Sequence, residues 1–281
     1  MEFLQTAFKI IDWKMEKPLP YGWFHLMFVG LTVLGVILLC FLKRNLAKKG
    51  KDTSGLGSAV VFAVALVVTV LEIYKQTVYS FSLEGERFVF DYQWYAFPWQ
   101  FCSMPMYVGL LVGIFRKGKI HDCLMAFLAT YAVFAGICVM LYPVDVFIGT
   151  IGINIQTMVC HGSMITVGVF LLCGGYVKSE HKTILKAIPV FAAAVLVASV
   201  LNEVARLTGL LERETFNMFF ISPHCEPSLP VYSSVQAIVP FPWCLVIYIL
   251  AFSIASYVIL LLEMGIVKLI RAASSRSRKR A

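Results

Sequence analysis

YGWFHLMFVGLTVLGVILLCFLK, residues 21–43, carries no acidic residue, and its only basic ones are His25 near the start and Lys43 at the end. As a helix rising ~1.5 Å per residue, this stretch is long enough to cross a hydrocarbon layer of roughly 30 Å. The apolar run is continuous rather than alternating, which argues against a barrel strand. Backbone groups in lipid must be satisfied within the segment, so the stretch is read as a transmembrane helix.

The rest of the chain repeats the pattern. Of 281 residues, 59% are hydrophobic and 14% charged, whereas soluble domains run near half apolar and about a quarter charged. Further apolar stretches fall at about 57–77, 98–116, 121–142, 154–176, 184–207 and 243–268. The sequence therefore predicts an all-α, polytopic membrane bundle of seven transmembrane helices over 21–268. Residues 1–20 precede it as a short interfacial amphipathic segment, with Phe3, Leu4, Ala7, Phe8 and Ile11 on one helical face and Pro18 and Pro20 ending it. Intervals of polar residues and the intact span that follows argue against a cleaved signal peptide. Residues 269–281 form a basic cytoplasmic tail.

Orientation follows from Lys and Arg. The first connection carries Lys43, Arg44, Lys48, Lys49 and Lys51. The third carries Arg116, Lys117 and Lys119, and the fifth Lys178, Lys182 and Lys186. Lys268, Arg271, Arg276, Arg278, Lys279 and Arg280 close the chain. These are 17 of 24 cations, all on one side, which is expected to be cytoplasmic, with the N-terminus outside. The net charge of +8 then reflects an anionic inner leaflet rather than nucleic acid. The expected location is the plasma membrane, with membrane lipids as surroundings and candidate substrate. The eight cysteines show no CxxC or Cys/His metal spacing, so no metal and no cofactor are expected.

Polar residues inside spans are costly and hence informative. FPWQFCSMPMY, residues 97–107, opens the third span with Gln100 and Cys102 between Pro98 and Pro105. In this topology Glu72 and Lys75 end the second span. Asn154, Gln156 and His161 occupy the outer half of the fifth, and Asn202, Glu203 and Arg206 the outer end of the sixth. Cys102 and His161 then lie roughly 6 and 10 Å below their helix starts, at a shared level. LVGIF (111–115), FLLCGG (170–175) and AIPVFAAAVLV (187–197) leave the inner halves with almost nothing that titrates. A polar pocket near the outer boundary is expected. Simpler readings stand beside it. Lys75 pairs with Glu72 and Glu203 with Arg206 by snorkelling, and Cys102 taken alone is a small hydrophobe.

FPWQFCSMP also resembles the corresponding stretch of the YwaF-like family of bacterial integral membrane proteins. The resemblance continues through YPVDVFIGTIGINIQTMVCHGSMI (142–165), FNMFFISPHCEPSL (216–229) and PFPWCLVIYIL (240–250). That family looks distantly related to eukaryotic transmembrane acyltransferases of ether phospholipids. It also looks related to multi-span hydrolases of fatty acid esters of hydroxy fatty acids. The resemblance implies a catalytic pair, Cys102 as nucleophile and His161 as base. It departs at Gln100, where the family often has His. Gln100, Glu72, Asn154, Gln156, Asn202, Glu203 and Arg206 are expected to bind substrate or support the pair. The implied activity is Cys/His-dependent lipid acyl transfer or ester hydrolysis. The alternative is a non-enzymatic transporter or ligand-binding membrane protein, against which stands the lack of an inverted repeat. Residues 208–242 hold Phe216, Met218, Phe219 and Phe220, which suits equally a loop that folds back and lids the pocket and an irregular loop resting on headgroups.

Overall fold

The computed structural model describes residues 2–85, 87–209, 216–225, 229–241 and 243–280. Helices dominate: α1 (Glu2–Ile11), α2 (Trp23–Lys48), α3 (Leu56–Val78), α4 (Met104–Ile114), α5 (Lys119–Leu128), α6 (Tyr131–Leu141), α7 (Ile151–Cys173), α8 (Lys182–Leu207), α9 (Pro230–Ile238) and α10 (Trp243–Arg280). The expected interfacial segment does contain a helix, α1, although the side chains of Phe3 and Leu4 lie outside the described residues. Residues 210–215 and 226–228 of the expected lid also lie outside them, as do Ala281 and the side chains of 270–280 in the basic tail.

Six helical segments are long and apolar enough to cross a membrane: α2, α3, α5 with α6, α7, α8 and Trp243–Leu269 of α10. The expected third span, 98–116, is shorter than the sequence suggests. Its apolar helix covers only Phe101–Ile114, roughly 21 Å at ~1.5 Å per residue. Proline explains the loss. Pro98 disfavours helical geometry at the residue before it, and Phe97 is extended at φ −49°, ψ 135°. The chain first turns at a 3₁₀ segment, Phe101–Ser103, and α4 follows with Pro105 in its first turn. A second departure lies at 121–142, read as one helix. It breaks at Ala129–Thr130, where Thr130 has φ −136° and ψ −79°. Helix α7 passes the break at Gly168, where a Cβ would sit 2.6 Å from the Leu128 carbonyl oxygen.

Helix α7 is the centre. It packs against α2, α3, α5, α6 and α10 and buries residues along its whole length. Helix α2 leans on α7 and leaves most of its apolar surface exposed, as a lipid-facing helix does. An aromatic core of Phe101, Phe127, Tyr131, Phe191, Phe219, Tyr248 and Phe252 joins α4 to α5, α6, α8 and α10. His25, fully buried, is structural. Its Nδ1 accepts the Tyr21 N–H at 3.0 Å and its Nε2 donates to the Met140 carbonyl at 3.0 Å.

The end of the bundle where α3 and α6 finish and α7 begins carries most of the irregular structure. An antiparallel hairpin, β1 (Phe81–Glu84) with β2 (Arg87–Phe90), follows α3. Phe8 of α1 packs its ring on Phe88. The chain after α1 pairs with the start of α7, through Met15 N–H to Gly149 and Ile151 N–H to Trp13.

Candidate functional site

Glu72, Lys75 and Gln76 fall on one face of α3 by the i, i+3, i+4 rule. The buried Glu72 is the hub. Its Oε1 accepts from Lys75 Nζ at 2.7 Å and Gln76 Nε2 at 2.8 Å, and its Oε2 accepts from Gln156 Nε2 of α7 at 3.3 Å. Gln76 also donates to the Ala96 carbonyl, and Tyr92 donates to Gln76 Oε1 at 2.6 Å. Burial of Tyr92, which lies outside the spans, pushes its phenol up to about 12, so it remains a donor at neutral pH. This network joins α3, α7 and the segment after the hairpin.

Cys102 sits in the 3₁₀ turn next to that network, partly buried. Lys75 lies within electrostatic reach of Cys102, Cys160 and His161, and Glu72 within reach of both thiols. The 3₁₀ turn packs against α6. The face of α7 that carries His161 meets the same helix, where the His161 carbonyl lies against Gly136. The buried His161 donates Nδ1–H to Thr157 O at 2.7 Å, which leaves Nε2 as the basic nitrogen. No hydrogen bond joins it to Cys102 among the described residues. One turn below Cys102, Pro105 and Met106 line a cavity of about 30 Å³ with Val61, Ala65, Val68, Ala132 and Cys160.

The remaining expected residues fall elsewhere. Asn154 holds its own preceding loop, accepting from Ile148 N–H at 2.9 Å and donating to Ile148 O at 2.8 Å. Asn202 does the same to Met218, at 2.7 and 3.1 Å. Gln100 donates to Asn217 O at 3.1 Å and accepts from Phe219 N–H at 2.9 Å. Glu203 joins Arg206 and His224 at the exposed rim, both at 2.8 Å. Cys225 donates its thiol to Phe216 O at 3.6 Å. The structure joins Glu72 to Gln156, sets Cys102 within electrostatic reach of Glu72 and Lys75, and sets His161 within reach of Lys75. It gives Asn154, Asn202 and Gln100 to main-chain groups instead. Among the described residues, no cluster of His, Cys, Asp and Glu could hold a metal ion.

Sequence reasoning missed Gln76, Tyr92 and Cys160. Gln76 was findable, being one turn from Glu72. Tyr92 carried no signal. The segment expected to lid the pocket does fold inward, with Phe216, Met218, Phe219 and Ile221 buried. Phe219 and Phe220 hold left-handed backbone, at φ 58° and 57°, which costs each roughly 1–2 kcal/mol.

Compared with known families, residues 20–260 match the model of the TMEM164 family. No curated protein and no solved structure matches.

Proposed function

The chain belongs to the TMEM164 family, a transmembrane family, and from that premise we propose that it is a thiol-dependent lipid acyltransferase or lipid ester hydrolase with Cys102 as nucleophile. One observation carries this reading. Cys102 sits in the turn that opens α4, within electrostatic reach of a buried network that includes the ammonium of Lys75. A helix start presents N–H groups and the positive end of its dipole to an anion that forms there.

His161 Nε2 is the proposed base. The thiolate attacks the carbonyl carbon of a lipid ester. A C–S bond forms, the C–O bond breaks, and the leaving alkoxide takes the proton held by the imidazole. A lysolipid hydroxyl or a water then attacks the thioester, gives its proton to His161, and releases the thiol. The Cys102 N–H is the candidate oxyanion donor. Glu72 holds Lys75 in place, and Gln156 holds Glu72. The apolar cavity under Cys102 is the start of a path for the acyl chain.

The reading includes seven crossings, with α4 as a short third one, in the plasma membrane. The N-terminus is outside and the C-terminus cytoplasmic, on the strength of 17 cations at one end. Reconstituted protein is given a phospholipid with a labelled acyl chain and a lysophospholipid acceptor. Transfer or release of label that is lost in Cys102→Ala and reduced at least 100-fold in His161→Gln supports the proposal. Equal turnover in Cys102→Ala refutes it.

A further inference from the structure

Helices α2 and α7 run side by side with a constant offset in sequence. Thr166 Oγ1 donates to Thr32 O, Gly35 lies against the Thr166 methyl, and Lys43 Nζ donates to Gly174 O. The paired positions differ by 134, 131 and 131, so the two helices are parallel and in register. That register sets Cys40 opposite Cys173, with the two thiols in electrostatic contact. Both are free and only partly buried. Close packing at Gly35 draws the helices together, as small residues do between membrane helices. Lys43, one turn beyond Cys40, lies over the Tyr176 ring at 4.6 Å and within electrostatic reach of the Cys40 thiol. A second thiol facing the first supplies the resolving partner once one of them is oxidised.

We propose that Cys40 and Cys173 form a reversible redox pair, oxidised by peroxide to a disulfide that staples α2 to α7. The Cys40 thiolate attacks one oxygen of hydrogen peroxide, breaking the O–O bond and giving a sulfenic acid and hydroxide. Cys173 then attacks that sulfur, the S–O bond breaks, and water leaves. Two thiols lose two electrons, and one peroxide becomes two waters. A disulfide of reasonable geometry needs Cα atoms within about 7 Å, and the close packing of α2 on α7 at Gly35 favours such an approach. Helix α2 has α7 as its main neighbour, so it is the helix with most to gain from a covalent tie. The pair lies at the opposite end of α7 from Gln156 and His161, and the inference stands whether or not Cys102 is a nucleophile.

The test uses the full chain, reduced and reconstituted, then exposed to low hydrogen peroxide. Reactive thiols are counted, and a non-reducing digest is mapped by mass spectrometry. The expected result is loss of two of the eight free thiols, a linked Cys40–Cys173 peptide, and full recovery with dithiothreitol. Cys40→Ser and Cys173→Ser each abolish that link, and oxidation raises the melting temperature of the wild type alone. The proposal is overturned if wild-type protein yields no such linked peptide, or if Cys40→Ser still loses two thiols. The wild-type map alone decides the question even if a variant folds poorly.

Discussion

Asn202 and Met218 exchange two hydrogen bonds, side-chain amide to main chain, in the buried interior of the bundle. The amide completes the polar pairing of a 3₁₀ turn that has no helix or strand to do it. Gln100 brackets the same two peptides from the α4 side, and Tyr248 donates to Phe219 O at 3.0 Å from α10. Three helices therefore hold a segment whose backbone is strained at Phe219 and Phe220. An unsatisfied buried main-chain group costs about 1–3 kcal/mol, so the clamps offset the strain.

Replacing Asn202 with Leu orphans both main-chain groups of Met218. The expected loss is about 2–4 kcal/mol. Thermal unfolding in detergent checks this against Glu203→Gln, one residue along at the exposed rim, where the change stays within about 1 kcal/mol.

Glu72→Leu leaves the Lys75 ammonium largely buried without its carboxylate and frees Gln76 and Gln156. Removing one partner of such a pair costs about 3–5 kcal/mol. Adding Lys75→Met to Glu72→Leu is expected to recover part of the loss. A double-mutant cycle by thermal unfolding reads the coupling, and additive losses would deny it.

How much of this was legible in the sequence depends on the residue type. Continuous apolar runs report their own lengths, so the six long segments were plain in 21–43 and its counterparts. The short α4 was harder, because the two prolines of FPWQFCSMP change the backbone without changing the hydropathy. A carboxamide in a span must be satisfied, which is why Gln100, Asn154 and Asn202 were read as candidate pocket residues. Sequence does not say by what, and the partner of Gln100 lies 119 positions away at Phe219. A pocket role and a main-chain bracket look alike until the chain is folded. The hairpin at 81–90 and Tyr92 are local loop features that no span-level reading reaches.

Glu263 corrects the expectation that the inner halves carry almost nothing that titrates. It is buried in α10, and neither carboxyl oxygen has a partner among the described residues. An unpaired buried polar group opposes folding. Glu263→Leu is therefore expected to leave stability unchanged or raise it by up to about 2 kcal/mol, read as a shift in melting temperature. A marked fall would mean that the carboxyl has a partner.

Gly168→Ala tests the broken helix. The added methyl meets the Leu128 carbonyl and a Val133 methyl, and overpacking of this kind costs about 1–3 kcal/mol. The same change at Gly265, where a Cβ meets nothing within 4 Å, is expected to be neutral or slightly stabilising.

The central claim is that Cys102 becomes acylated. The direct measurement is intact-peptide mass spectrometry of reconstituted protein quenched in acid during exposure to an ester lipid. The account predicts an acyl adduct on the Cys102 peptide, removed by neutral hydroxylamine and absent in Cys102→Ala, with its neighbour Cys160 unmodified. An adduct on Cys160 instead, or none on Cys102 while the lipid is consumed, would contradict it.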